Sequence, residues 1–107
     1  MKAIAFHLPQ FHRTNENDGW WGEGFTDWDN VRAAEPVAPG HVIRKPHADV
    51  GYYNLLDPAV RKKQAEMAKA FNLHGFCYYH YWFGGGRRVL DKPLELLLAD
   101  GEPNIPF

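Results

Sequence analysis

The chain has 107 residues, a size that suits one domain. Its 45% apolar content supports a core, its net charge of -1 gives no bulk attraction to nucleic acid or anionic lipid, and no apolar run is long enough to span a membrane. The single cysteine, Cys77, excludes an internal disulfide and a Cys-rich zinc site, and reads as a small buried hydrophobe.

Lys2 to Leu8 reads as a first strand, apolar on both faces as in a buried parallel sheet, and ended by Pro9. Its apolar stretch is too short for a signal peptide and no small-residue cleavage site follows, so a cytoplasmic location is the expectation. From Gln10 to about Leu56, prolines and glycines interrupt every long pattern, leaving only a short helical turn around Trp28 to Ala34. A loop of this length is uncommon unless functional, and Trp20, Trp21, Phe25, Trp28, Tyr52 and Tyr53 argue that it is ordered.

Asp57-Pro58 opens the best helix, with Asp57 as N-cap and Pro58 at the first helical position. Val60, Gln64, Met67, Ala68 and Phe71 make its packed face; Arg61, Lys62, Glu66 and Lys69 make its wet side. Asn72 suits the left-handed stop. Leu73 to Phe83 reads as the second strand, ended by Gly84-Gly85-Gly86. Asp91 caps a short helix through Leu94, Leu97 and Leu98, stopped at Asp100-Gly101. Glu102 to Phe107 reads as the approach to a third strand.

Strand–helix alternation predicts parallel strands with helical crossovers. Two strands cannot bury both faces of such a sheet, whereas a closed barrel uses eight strands and ~250 residues. The expected fold class is therefore α/β: the N-terminal fragment of a (β/α)8 TIM barrel, about two βα units plus the start of the third strand. Residues 1–107 would form part of one domain, with the long first βα loop at about 10–56.

In such a barrel the site lies at the C-terminal ends of the strands. His7, Gln10 and His12 arrive there from the first strand, Tyr79, His80, Tyr81 and Trp82 from the second, and the loop lies on the same side. Alternation puts Phe76, Tyr78, His80 and Trp82 on one face and Cys77, Tyr79, Tyr81 and Phe83 on the other, without saying which faces ligand. Trp20, Trp21 and Trp28 are suited to stacking on apolar sugar faces, or to pinning the loop. Asp27, beside Trp28, can accept two hydroxyl bonds. Glu16, Asp18, Glu23, Asp27 and Asp29 offer carboxylates, but none stands at a strand end, so no catalytic pair is assigned. Gly84-Gly85-Gly86 precedes Arg87-Arg88 and makes no nucleotide loop, and the six histidines match no metal-ligand spacing. No cofactor and no metal is expected.

Several motifs in order carry a family resemblance: Ala5-Phe6-His7-Leu8-Pro9-Gln10-Phe11-His12, Asn15-Glu16-Asn17-Asp18, Trp20-Trp21-Gly22, Gly24-Phe25-Thr26-Asp27-Trp28, Asn30-Val31, and Phe76-Cys77-Tyr78-Tyr79-His80-Tyr81-Trp82-Phe83. Across essentially the whole chain they resemble the WbsX-like family. These are bacterial proteins of polysaccharide and lipopolysaccharide gene clusters, described both as glycosyltransferases and as glycoside hydrolase family 99-like. The resemblance implies a (β/α)8 barrel acting on glycans. The family 99 hydrolases use paired glutamates on later strands, which no residue here matches. By motif position, His7, Gln10, Asp27, Trp28, His80 and Trp82 would be subsite residues that position sugar; Trp20, Trp21 and Tyr79 join them from the reading of the residues themselves. The expected partner is an oligosaccharide or polysaccharide, together with the remaining part of the barrel. The main expectation is glycan binding for a hydrolase-like barrel; the alternatives are a glycosyltransferase and a truncated, non-catalytic product.

Overall fold

The first strand, β1 (Ala3–His7), and β2 (Leu73–Tyr78) pair in parallel, with Ala5 opposite Phe76 and His7 opposite Tyr78. A computed structural model describes residues 1–107. Between these strands run α1 (Asn15–Trp21), α2 (Asp27–Ala33) and α3 (Pro58–Ala70). After β2 come β3 (Tyr81–Trp82) and β4 (Arg88–Val89), a small antiparallel pair, and then α4 (Lys92–Asp100). The architecture is α/β, with one parallel and one antiparallel strand pair and four helices. The strands present do not close a barrel.

The helix α3 forms where its signals place it. The Asp57 carboxylate accepts from the Ala59 N–H at 2.8 Å, Pro58 starts the first turn, and Asn72 stops the helix at φ 59°. Its Ala65 and Ala68 pack on Phe76 and Ile105, with Ala5, Leu73 and Tyr78 around them. Small residues on the helix let the strand aromatic approach closely. That packing sorts the sheet: Ala5, His7, Phe76 and Tyr78 face α3, and Cys77 lies on the opposite face.

Several sequence expectations are corrected. β1 is not buried on both faces, because Ile4, Phe6 and Leu8 are exposed. For the same reason Cys77 is exposed rather than buried. The second strand does not run to Phe83: parallel pairing ends near Tyr78, and Tyr81–Trp82 turn to pair with Arg88–Val89 around the three glycines. The segment 10–56 is not without regular structure, since it holds α1 and α2.

Phe71, just past the end of α3, is exposed, and Arg61 on the helix, expected on the wet side, is 2% exposed. The Arg61 guanidinium has fixed acceptors. It donates to the Leu55 carbonyl (2.9 Å), the Leu56 carbonyl (3.0 Å), the Glu102 carbonyl (3.0 Å) and the Asp100 carboxylate (2.5 Å). A buried cation is tolerated when its donors are filled this way. The result ties the start of α3 to the segment after α4.

The last residues form no strand, but they do reach the sheet. The Phe76 N–H donates to the Pro106 carbonyl at 2.9 Å, on the edge of β2 away from β1. Gly75 permits this approach, because any Cβ there would collide with the Pro106 carbonyl oxygen. No helix is long and apolar enough to cross a membrane.

Candidate functional site

The long segment is folded over the C-terminal ends of the parallel pair and is held there by its own polar bonds. Thr14 caps α1, its hydroxyl accepting from the Asn17 N–H at 3.1 Å. Asp18 accepts from Arg13 (2.8 Å) and from the Gly24 N–H (2.8 Å), closing the turn between α1 and α2. The bond from Arg13 holds the Asp18 carboxyl below the usual carboxylate range. At the start of α2 the Thr26 N–H donates to the Asp29 carboxylate at 2.9 Å. Beneath this, Trp28 stacks on Phe11 (4.2 Å between centroids) and meets Tyr52 and Tyr53 edge-on. Its indole N–H donates to the Tyr53 carbonyl at 2.7 Å.

These supports form a cleft of ≈ 240 Å³ just past β1 and β2, lined by Gln10, Asn17, Trp21, Phe25, Asp27, Asn30, Tyr81 and Leu90. Trp21 and Phe25 stack at 5.6 Å and 26°, giving one wall an aromatic face. The Tyr81 hydroxyl donates to the Gln10 side-chain carbonyl. Burial, then the negative charge of Asp27, pushes the Tyr81 phenol above its ordinary pKa, so it stays protonated. The cleft therefore combines a carboxylate, three amides, a phenol and a ring face. Hydroxyl groups both donate and accept, and that mixture matches them.

The loop carboxylates have separate tasks. Asp18 and Glu23 meet Arg13, Asp29 caps α2 and pairs with Arg32, and only Asp27 borders this cleft. That geometry can orient a polar ligand. It does not present the two facing carboxyls that glycosidic hydrolysis uses.

Of the residues singled out from sequence, Gln10, Trp21 and Asp27 meet in this cleft. Trp28 lies beneath it, buried, with its N–H already bonded. Trp20 is exposed on the hairpin side, near Phe83 at 6.0 Å and under Arg87 at 5.8 Å. His7 faces α3, where its Nε2 meets Gln64 at 3.1 Å; burial lowers its pKa, against that bond. Tyr79 is exposed between Phe6 and Tyr81. His80 and Trp82 stack on each other at 6.2 Å and are exposed.

Asn17, Phe25, Asn30 and Leu90 were not among the sequence candidates, and Tyr81 was expected only at the same strand end, without an assigned ligand contact. Helical spacing contained part of the signal. Asn17 and Trp21 are four apart on α1, and Asp27 and Asn30 three apart on α2, so each pair shares a helix face.

The largest cleft, ≈ 460 Å³, is of another kind. It runs beside α3 and is lined by apolar groups such as Phe6, Leu8, Phe11, Met67 and Phe71. It has the character of an uncovered core rather than a sugar site. No group of three or more His, Cys, Asp or Glu side chains is placed to hold a metal ion.

Comparison with known proteins adds the context. The model of the family described as Glycosyltransferase WbsX matches residues 3–107. Two curated relatives, each described as "Uncharacterized protein WxcX", come from Xanthomonas campestris pv. campestris strains B100 and ATCC 33913. Each is 44% identical over 104 residues, which cover 97% of this chain and 15% of the relative. The chain thus corresponds to a small part of a larger protein. No solved structure matches it.

Proposed function

We propose, on the premise that the chain belongs to the Glycosyltransferase WbsX family, that it carries a sugar-binding subsite of a glycosyltransferase acting in bacterial surface-polysaccharide assembly. The observation that carries this reading is the convergence of Gln10, Asp27 and Tyr81 on one small cleft with a Trp21–Phe25 ring wall. Asp27 accepts hydroxyl bonds, the Asn17 and Asn30 amides fix orientation, and the rings cover an apolar sugar face. Trp28 is a positioning residue: it sets α2, and so Asp27, from below. His7, Trp20, Tyr79, His80 and Trp82 would meet more distant parts of a long glycan or the surrounding fold.

The chain's place in a larger (β/α)8 barrel domain is part of the same proposal. β1, α3 and β2 form a parallel unit with a helical crossover. The open face of β1, with Ile4, Phe6 and Leu8, is apolar and suits a barrel interior. The Phe76–Pro106 bond starts a further pairing on the far edge of β2. Groups that break and form glycosidic bonds would come from the remaining part of the protein.

The test uses the full-length protein with nucleotide sugars and a surface-polysaccharide repeat as acceptor. Transfer that falls with Asp27→Ala supports the reading. Release of sugars from the glycan without any nucleotide sugar would replace it with the family 99-like hydrolase reading.

A further inference from the structure

A second polar cleft, of ≈ 260 Å³, adjoins the first, and Leu90 borders both. One wall comes from the exit of β1, with His12, Thr14 and Glu16. The other comes from the end of β4 and the start of α4, with Arg88, Asp91 and Lys92. The two walls are far apart in sequence, and β1's exit and the β3–β4 pair bring them together.

Two features of this cleft are not explained by folding alone. His12 is 1% exposed, yet neither ring nitrogen has a hydrogen-bond partner, although the Pro9 carbonyl lies near. A buried imidazole normally fills at least one of its nitrogens. Leu90 is held at φ 62°, in the left-handed region that bulky residues seldom enter. Such backbone persists where the surroundings over-determine it, and it gathers at ligand sites. Here it sets the Leu90 side chain on the boundary between the clefts.

The charges decide the ligand class. Arg88 meets Asp91 at 3.2 Å and Glu95 at 3.7 Å, and Lys92 meets Glu95 at 3.1 Å. Arg13, at the rim, is paired with Asp18 at 2.7 Å. No cation is left over to hold a phosphate or carboxylate, and Glu16 and Asp91 oppose one. Paired donors and acceptors around an unfilled imidazole suit neutral hydroxyls.

We infer that this cleft is a second sugar subsite, taking the neutral sugar next to the one held by Asp27 and Tyr81. Leu90 packs between the two rings. His12 lies just beneath this cleft with both nitrogens covered, and a turn of its ring brings one of them to a sugar hydroxyl there. The inference rests on the sugar-binding reading of the first cleft, and its test separates the two.

The test follows backbone amide signals by NMR while the chain is titrated with neutral gluco-, manno-, galacto- and rhamno-configured monosaccharides and disaccharides. Inorganic phosphate and glucuronate are titrated in parallel. A disaccharide should move Phe25 and Asp27 together with Val89 and Lys92, and bind about fivefold tighter than its monosaccharide, one hydrogen bond's worth. His12→Phe, which keeps an aromatic ring and removes both nitrogens, should abolish that gain. Lys92→Gln, on the exposed rim, should reduce it and decides the matter if His12→Phe does not fold. A disaccharide that moves only Phe25 and Asp27 overturns this inference and leaves the first subsite standing. Response of Val89 and Lys92 to phosphate or glucuronate alone overturns the neutral-sugar assignment. Silence of both regions toward every sugar overturns both readings.

Discussion

The hydroxyl of Tyr81 donates to the side-chain carbonyl of Gln10 across the ends of two parallel strands. His7 and Tyr78 are register partners, and each chain continues three residues before Gln10 and Tyr81 meet again. This contact extends the sheet's order into the loops, and the cleft is built around it.

Tyr81→Phe removes the hydroxyl and leaves the ring. Oligosaccharide binding is expected to weaken about fivefold, the effect of one neutral hydrogen bond and a misplaced Gln10 amide. Isothermal titration measures it, and the far-ultraviolet circular dichroism should not change.

Trp28→Phe tests whether this tryptophan supports the site rather than contacting ligand. It loses the indole bond to Tyr53 and part of the contact with Phe11, Tyr52 and Tyr53. A stability loss of about 1–3 kcal/mol in urea is expected. Sugar affinity should fall less than with Asp27→Ala. The reverse order would make Trp28 a direct contact.

Arg61→Met leaves the Leu55, Leu56 and Glu102 carbonyls without their donor. A loss of about 3 kcal/mol or more in denaturant unfolding is expected, because buried groups lose their partners. Gly75→Ala acts at the opposite side of the same tie by pushing Pro106 off β2, and should cost about 1–3 kcal/mol.

Stability should fall on mild acidification. Burial lowers the pKa of both His7 and His12 below 6.5, against the Gln64 bond at His7 and against the Pro9 carbonyl and Asp91 charge at His12. Above pH 6.5 both rings are neutral in the folded and unfolded chain. As pH drops through 6.5, the unfolded chain takes up protons that the folded chain refuses, and stability declines until pH passes below the folded values. Urea midpoints between pH 7.5 and 5 measure this, and His12→Phe should flatten the slope.

Much of the frame was legible in the sequence because it rests on local signals. Asp57-Pro58 and Asn72 bracket α3, and Gly101 stops α4 in the left-handed conformation. The two helices of the first loop were harder to read. Each is seven residues long and depends on a capping residue and tertiary packing rather than on a sustained apolar stripe. The break near Tyr79 has no Gly or Pro to announce it; it follows from the pairing of Tyr81 with Val89, which lies beyond the glycines. Arg61 was placed on the wrong side of α3 because periodicity registers charge and not the four acceptors waiting for it. Gln10, Trp21 and Asp27 could be selected by chemistry, but their meeting with Tyr81 depends on contacts between distant segments.

The central claim is that the Gln10–Asp27–Tyr81 cleft holds a sugar. The most direct measurement is Trp fluorescence titration of the chain and of Asp27→Ala with surface-polysaccharide oligosaccharides, with Trp21→Phe identifying the part of the emission that comes from the cleft. Saturable quenching in the parent chain, weakened about tenfold or more in Asp27→Ala, is the expected result for a charge-assisted hydrogen bond. Equal binding by both proteins would contradict the account.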